Sequence, residues 1–125
     1  MDKVVHFEIP ADSTGRAKKF YQAAFGWQIE SMPEFDYHIL RTVEVDKKKM
    51  PKEKGAINGG MMARQSPIKN PVITIGVANM DKAVEKVKKA GGKIIREKKP
   101  VGEMGFAAYF EDTEGNVLGL WQERK

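Results

Sequence analysis

The chain contains no cysteine in 125 residues. That removes disulfides, thiolate nucleophiles and thiolate metal ligands, and it sits more easily with a reducing compartment than an oxidising one. Nor is there an apolar run near the roughly 20 residues needed to cross a bilayer. The opening MDKVVHFEIP lacks a signal-peptide pattern. These absences lead us to expect a cytoplasmic protein with no membrane partner. Histidine is scarce, with only His6 and His38, so imidazole chemistry rests on those two. The glycine run at 59–60 does not precede a helix, so a phosphate cradle lacks its dipole, and no nucleophile-elbow spacing occurs. Acidic residues are outnumbered 17 to 22, for a net charge of +5. A basic excess is one mark of nucleic-acid binding. Here the lysines cluster in a loop (Lys47, Lys48, Lys49, Lys52, Lys54) and on or just after the second helix, with glutamates among them. A solvated surface accounts for them, and nucleic acid is not the expected partner.

What is present is an internal repeat, the feature to look for before any element is assigned. With a shift of 66 residues VHFEIP at 5–10 lies on PVITIG at 71–76, Ala17 on Ala83, Gly26 on Gly92 and Ile29 on Ile95. Towards the end of each half a shift of 60 lays GAINGGMM at 55–62 on GNVLGLWQ at 115–122. Each half reads as strand, helix, strand, strand, strand. The expectation is an α+β fold of two βαβββ modules, about 1–65 and 68–125, within one domain of residues 1–125. A chain of this length has room for a real core, burying roughly two thirds of its unfolded surface.

Local signals place the elements. Asp12 or Ser13 can cap a helix whose apolar stripe is Ala17, Phe20, Tyr21 and Ala24, ended by Gly26. Asn79 caps a second helix with the stripe Met80, Ala83, Val84 and Val87, stopped at Gly91-Gly92. Strands are expected near Val4–Ile9, Trp27–Ser31, Tyr37–Val45 and Ala56–Ala63. The second half repeats them near Ile73–Val77, Lys93–Glu97, Met104–Glu111 and Asn116–Gln122. Ser66–Pro71, with two prolines, joins the halves. Side chains alternate across a sheet with period two. Val5, Phe7 and Ile9, like Ile73, Ile75 and Val77, form uniformly apolar faces suited to packing beneath helices. That leaves His6, Glu8, Val72 and Thr74 on the opposite face. The repeat adds Ile57, Gly59, Met61, Val117, Gly119 and Trp121 to it. A sheet curled around this mixed face would form a cleft.

VHFEIPADSTGRAKKFYQAAFGW, VANMDKAVEKVKKAGGKI and the closing FEDTEGNVLGLWQ, in that order and inside a repeat, resemble the vicinal-oxygen-chelate superfamily. That superfamily includes glyoxalase I, bleomycin-resistance proteins and extradiol dioxygenases. The resemblance covers nearly the whole chain and implies paired βαβββ modules curling into one glyoxalase-like cleft, often in a homodimer. In metal-using members four ligands, usually His or Glu, come from the first and last strands of each module. Carried over, those positions are His6, Gly59, Val72 and Gly119, and only His6 has a donor side chain. A catalytic divalent ion takes about three protein ligands plus water. Even with Glu8 this set falls short, so neither metal nor cofactor is expected.

What remains is a cleft lined by Trp121, Met61, Ile57, Val117 and Val72, with His6, Glu8 and Thr74 as polar groups. Gly59 and Gly119 would make room for a flat or apolar organic ligand. The leading expectation is a metal-free small-molecule-binding protein, with drug or metabolite sequestration as one option. The alternative is a metal-independent isomerase or lyase with His6 as the acid–base group and Glu8 orienting it. A nucleic-acid-binding reading rests on charge alone. Protein incubated with zinc, nickel or manganese and then desalted is expected to hold no stoichiometric ion by elemental analysis. About one tightly held ion per chain would instead make Glu8 or a second subunit the ligand source.

Overall fold

The computed structural model describes residues 1–124 and shows the expected element order twice. The first half contains β1 (Lys3–Ala11), α1 (Thr14–Phe25), β2 (Gln28–Met32), β3 (Tyr37–Arg41) and β4 (Gly59–Ala63). The second contains β5 (Val72–Gly76), α2 (Met80–Lys89), β6 (Lys93–Val101), β7 (Gly105–Glu111) and β8 (Val117–Glu123). The fold is α+β, with an eight-stranded mixed sheet. The chain falls into two compact units. One is His6–Pro71; the other runs from Val72 onward and takes in Met1–Val5.

In the first unit the strands lie in the order β2-β3-β4-β1, with β1 parallel to β4 and the other pairs antiparallel. Ser13 caps α1, its hydroxyl accepting from the Arg16 amide, and Gly26 ends the helix in the left-handed region at φ 70°. The core is Leu40, Met61 and Ala11, with Phe7, Ile9, Ala17, Trp27 and Ile29 packed against it. Tyr21 stacks on Trp27 with ring centres 4.8 Å apart and planes 5° apart. The apolar stripe read from sequence is only partly used. Ala17 and Tyr21 turn inward, whereas Phe20 is 57% and Phe25 64% exposed, and Ala24 is exposed too. Strand β3 stops at Arg41 instead of continuing to Val45. The amides of Thr42 and Val43 both donate to Asn58 Oδ1, at 2.8 and 3.1 Å, in place of a strand partner.

In the second unit the order is β5-β8-β7-β6, with β5 parallel to β8 and the rest antiparallel. Asn79 caps α2 by accepting from the Lys82 amide. All four residues of the predicted α2 stripe join the core around Met80, Ala108, Phe110 and Leu120. A basic last turn of Lys86, Lys88 and Lys89 suits the negative end of the helix dipole. The hairpin before β8 is held by Asp112, whose carboxylate accepts from the amides of Glu114 and Asn116. Those bonds, led by Asn116, hold its pKa below the ordinary carboxylate value.

Register corrects one part of the repeat. Glu8 pairs with Gly60 across β1 and β4, and Thr74 pairs with Gly119 across β5 and β8. Glu8 corresponds to Thr74 at the shift of 66, so Gly119 corresponds to Gly60, not Gly59, and the shift at the later strands is 59. Met61 then matches Leu120. Both sit in the core beneath their helix, Met61 with no exposure and Leu120 with 3%. Met61 was expected on the opposite face; a slip of one residue reverses every side chain of a strand. Met61→Ala is therefore expected to cost about 2–5 kcal/mol in urea denaturation, the range for emptying a core site. A loss of only a few tenths would return Met61 to a surface or ligand-contact role.

Candidate functional site

In the first unit, β1 turns Phe7 and Ile9 towards α1, which leaves His6 and Glu8 on the opposite face. A short 3-10 turn, Pro33–Phe35, precedes β3 and closes with Asp36 in the left-handed region at φ 51°. The next residue, Tyr37, lies 31 positions from His6 in sequence, and its hydroxyl is 2.9 Å from His6 Nε2. The same hydroxyl donates to Glu8 Oε2 at 2.7 Å. Glu8 is buried, with 7% exposure, whereas His6 and Tyr37 are half-buried. A buried carboxylate is tolerated when it is hydrogen-bonded, and this phenol supplies such a bond.

Gly60 makes the arrangement possible. Ile39 of β3 pairs with Gly60, so alternation puts Tyr37, two residues earlier, on the Gly60 face. A Cβ at Gly60 would overlap the Tyr37 hydroxyl. Met62, paired with Pro10, also lies on this face and is half-buried. Neither Tyr37, Gly60 nor Met62 was singled out from sequence. The correct β4 parity would have revealed Gly60 and Met62; Tyr37 gave no local signal.

Other expected positions fall elsewhere. Gly59 pairs with Phe7 and lies on the helix side, where a Cβ would fall 2.7 Å from the Phe7 ring. Its lack of a side chain serves core packing and opens no space for a ligand. Ile57 precedes β4, and its carbonyl accepts from the Thr42 hydroxyl, so strand parity does not apply to it. In the second unit, Leu118 and Leu120 pack with the α2 core, which leaves Val117, Gly119 and Trp121 on the other face. Thr74 shares that face, and a Cβ at Gly119 would come 2.9 Å from the Thr74 hydroxyl oxygen, so this space too is filled by protein. Val72 is buried and Trp121 half-buried, its indole lying against Gly105. His38, given no role from sequence, has its Nδ1 3.0 Å from the Ser31 hydroxyl.

The donor chemistry does not fit a catalytic metal site. Among the described residues no three His, Cys, Asp or Glu side chains come together. Gly59, Gly60, Val72 and Gly119 contribute no side-chain donor, and Glu8 is already engaged by Tyr37.

Residues 3–42 match the family described as bleomycin resistance protein-like N-terminal. The candidate glyoxylase CFP32 of Mycobacterium tuberculosis is 29% identical over 114 residues, 87% of this chain. The chain spans 41% of that relative's length. A Vibrio splendidus member of the glyoxalase/bleomycin resistance protein/dioxygenase superfamily aligns with a TM-score of 0.63 at 11% identity, covering 98% of this chain and 99% of that one. The chain is thus similar to this family over its first 42 residues and to this superfamily in its fold. Streptomyces coelicolor methylmalonyl-CoA epimerase in complex with 2-nitronate-propionyl-CoA aligns with a TM-score of 0.68. Its identity is 15%, and the alignment covers 98% of each chain. At that identity the likeness shows the fold alone.

Burial pushes the His6 imidazole below its ordinary value of 6.5, and the Glu8 carboxylate partly opposes this by raising it. Well above 6.5 the ring is neutral in folded and unfolded chains alike, and its contribution to stability is complete. As pH falls through 6.5 the unfolded chain takes the proton first, so stability is lost until the lower folded pKa is passed. Urea denaturation should show the stability of wild type relative to His6→Gln declining between about pH 7.5 and 5.5. A flat difference over that range would mean His6 sits in ordinary solvated surroundings.

Proposed function

We propose that this glyoxalase-like protein binds a small organic molecule at the His6 face of its first unit, without the metal used by other superfamily members. The hydrogen-bonded group of His6, Tyr37 and Glu8 carries this reading, because it holds a polar imidazole on a face that the helix leaves uncovered. Convergent polar groups beside apolar side chains such as Met62 are what a ligand site requires. Val117 and Trp121, half-buried on the face of the second unit that α2 leaves uncovered, are candidate contacts for a ligand of that unit. In this reading the protein acts as a cytoplasmic homodimer. Among the described residues no helix is long and apolar enough to cross a membrane.

The same group supports a second reading, a metal-independent isomerase or lyase. His6, kept neutral near pH 7 by burial, has the protonation state of a general base, and Glu8 acts on it through Tyr37. Acyl-CoA thioesters form a sensible first ligand set, since an epimerase of such compounds shares the fold and the chain carries a net charge of +5.

A thermal-shift screen of acyl-CoA esters, α-keto aldehydes and aromatic metabolites tests both readings, because a ligand bound only to the native state raises the melting temperature by mass action. A ligand held by the second unit is expected to lose its shift in Trp121→Ala. Each variant is compared with its own ligand-free baseline, since truncation also costs burial. His6→Ala separates the readings. A binder loses about 1–3 kcal/mol of affinity when a buried polar partner is stranded, whereas an enzyme loses turnover and still binds. No shift with any compound, with His6→Ala and wild type indistinguishable throughout, would count against a small-molecule site at His6.

A further inference from the structure

We infer that Tyr37 and Glu8 lock neutral His6 in its Nε2–H tautomer, making Nδ1 a fixed hydrogen-bond acceptor for a ligand's N–H or O–H group. Tyr37 is in this sense a positioning residue, acting on the ligand only through His6. The inference deepens the small-molecule reading of the same site.

The argument is one of proton counting. A phenol has a single proton, and an ionised carboxylate can only accept. The Tyr37 proton therefore lies in the 2.7 Å bond to Glu8 Oε2. At the 2.9 Å contact with His6 Nε2, the phenol oxygen has only lone pairs left to offer. Nε2 makes that contact as a donor. Neutral imidazole carries one N–H, so the proton on Nε2 leaves Nδ1 with a bare lone pair.

Two features keep the chain of bonds in this direction. Glu8 is buried, and an O–H···O⁻ bond shielded from water is strong and costly to break. The space that holds the hydroxyl exists because residue 60 has no Cβ. Nδ1 itself has no hydrogen-bond partner among the described residues. No side-chain nitrogen or oxygen there is both fully buried and unpartnered, so Nδ1 keeps some access to solvent.

A ligand class follows. An amide, alcohol or similar neutral donor can complete the bond at Nδ1. A carboxylate at the same place would set lone pair against lone pair, with the ring unable to turn without breaking the Tyr37 bond. The site thus selects donors over acceptor-only anions at that position.

Long-range proton–nitrogen NMR on histidine-labelled protein at about pH 8, above the ordinary histidine pKa, tests the lock without any ligand. Its failure is thereby separate from a failure of small-molecule binding. His6→Gln identifies the signals, since His38 is the other histidine. Wild type is expected to show a protonated Nε2 with a slowly exchanging proton and an unprotonated Nδ1. Tyr37→Phe should lose the slow proton and move both nitrogen shifts towards a mixture of tautomers. Gly60→Ala displaces the same hydroxyl while keeping every polar group, so the outcome does not depend on one variant folding well. A protonated Nδ1 in wild type, or signals unchanged in both variants, would overturn the lock. Titration with N-methylacetamide should then shift the Nδ1 signal where acetate does not. Equal responses, a larger response to acetate, or none to either would overturn the acceptor role.

Discussion

Each unit has one helix, and one helix covers only one face of its strands. Most of the structure follows from that constraint. In the first unit α1 shelters Phe7, Ile9 and Met61, and in the second α2 shelters Ile75, Leu118 and Leu120. Burying such side chains is the dominant favourable contribution to folding. The opposite face must satisfy its polar groups some other way, and in the first unit it does so by hydrogen bonding. Tyr37 bridges His6 and Glu8, and none of the described polar side-chain atoms is left buried without a partner.

The glycines show the same division of labour. Gly59 and Gly60 are neighbours in one strand, yet they serve opposite faces. The first lets the Phe7 ring pack in the core; the second lets the Tyr37 hydroxyl reach Glu8. Neither position needs an unusual φ, since neither is among the positive-φ residues. Both need the missing Cβ because another group occupies its place. Gly119 repeats the theme against Thr74. Space that looks open when a glycine is read in a sequence is, at all three sites, space taken by the protein itself.

The polar group also gives the first unit a face with a chemistry of its own. Gly60, Gly119 and Val72 offer no donor side chain, and in the first unit His6 and Glu8 share one face. A phenol hydroxyl joins those two side chains through hydrogen bonds that weigh direction as well as distance. Tyr37 is the shared partner of both side chains, so the group depends on it as much as on the histidine it touches.

The sequence by itself determined the duplicated βαβββ order, both helix caps, the α2 stripe and the alternation of β1 that sets His6 and Glu8 apart from Phe7 and Ile9. These are local properties, written in spacings of two to four residues and in single capping side chains. Tertiary structure decided the rest. The segment from Thr42 to Asn58 carries no period, so counting across it lost one residue and reversed the face of β4, misplacing Gly59 and Met61. Half of the α1 stripe, Phe20 and Ala24, stayed in solvent, while Ala17 packs on the core and Tyr21 stacks on Trp27. Tyr37 joined His6 and Glu8 only when β3, β4 and β1 came side by side. A hydrogen bond between residues 31 positions apart is set by strand pairing and leaves no mark in local sequence.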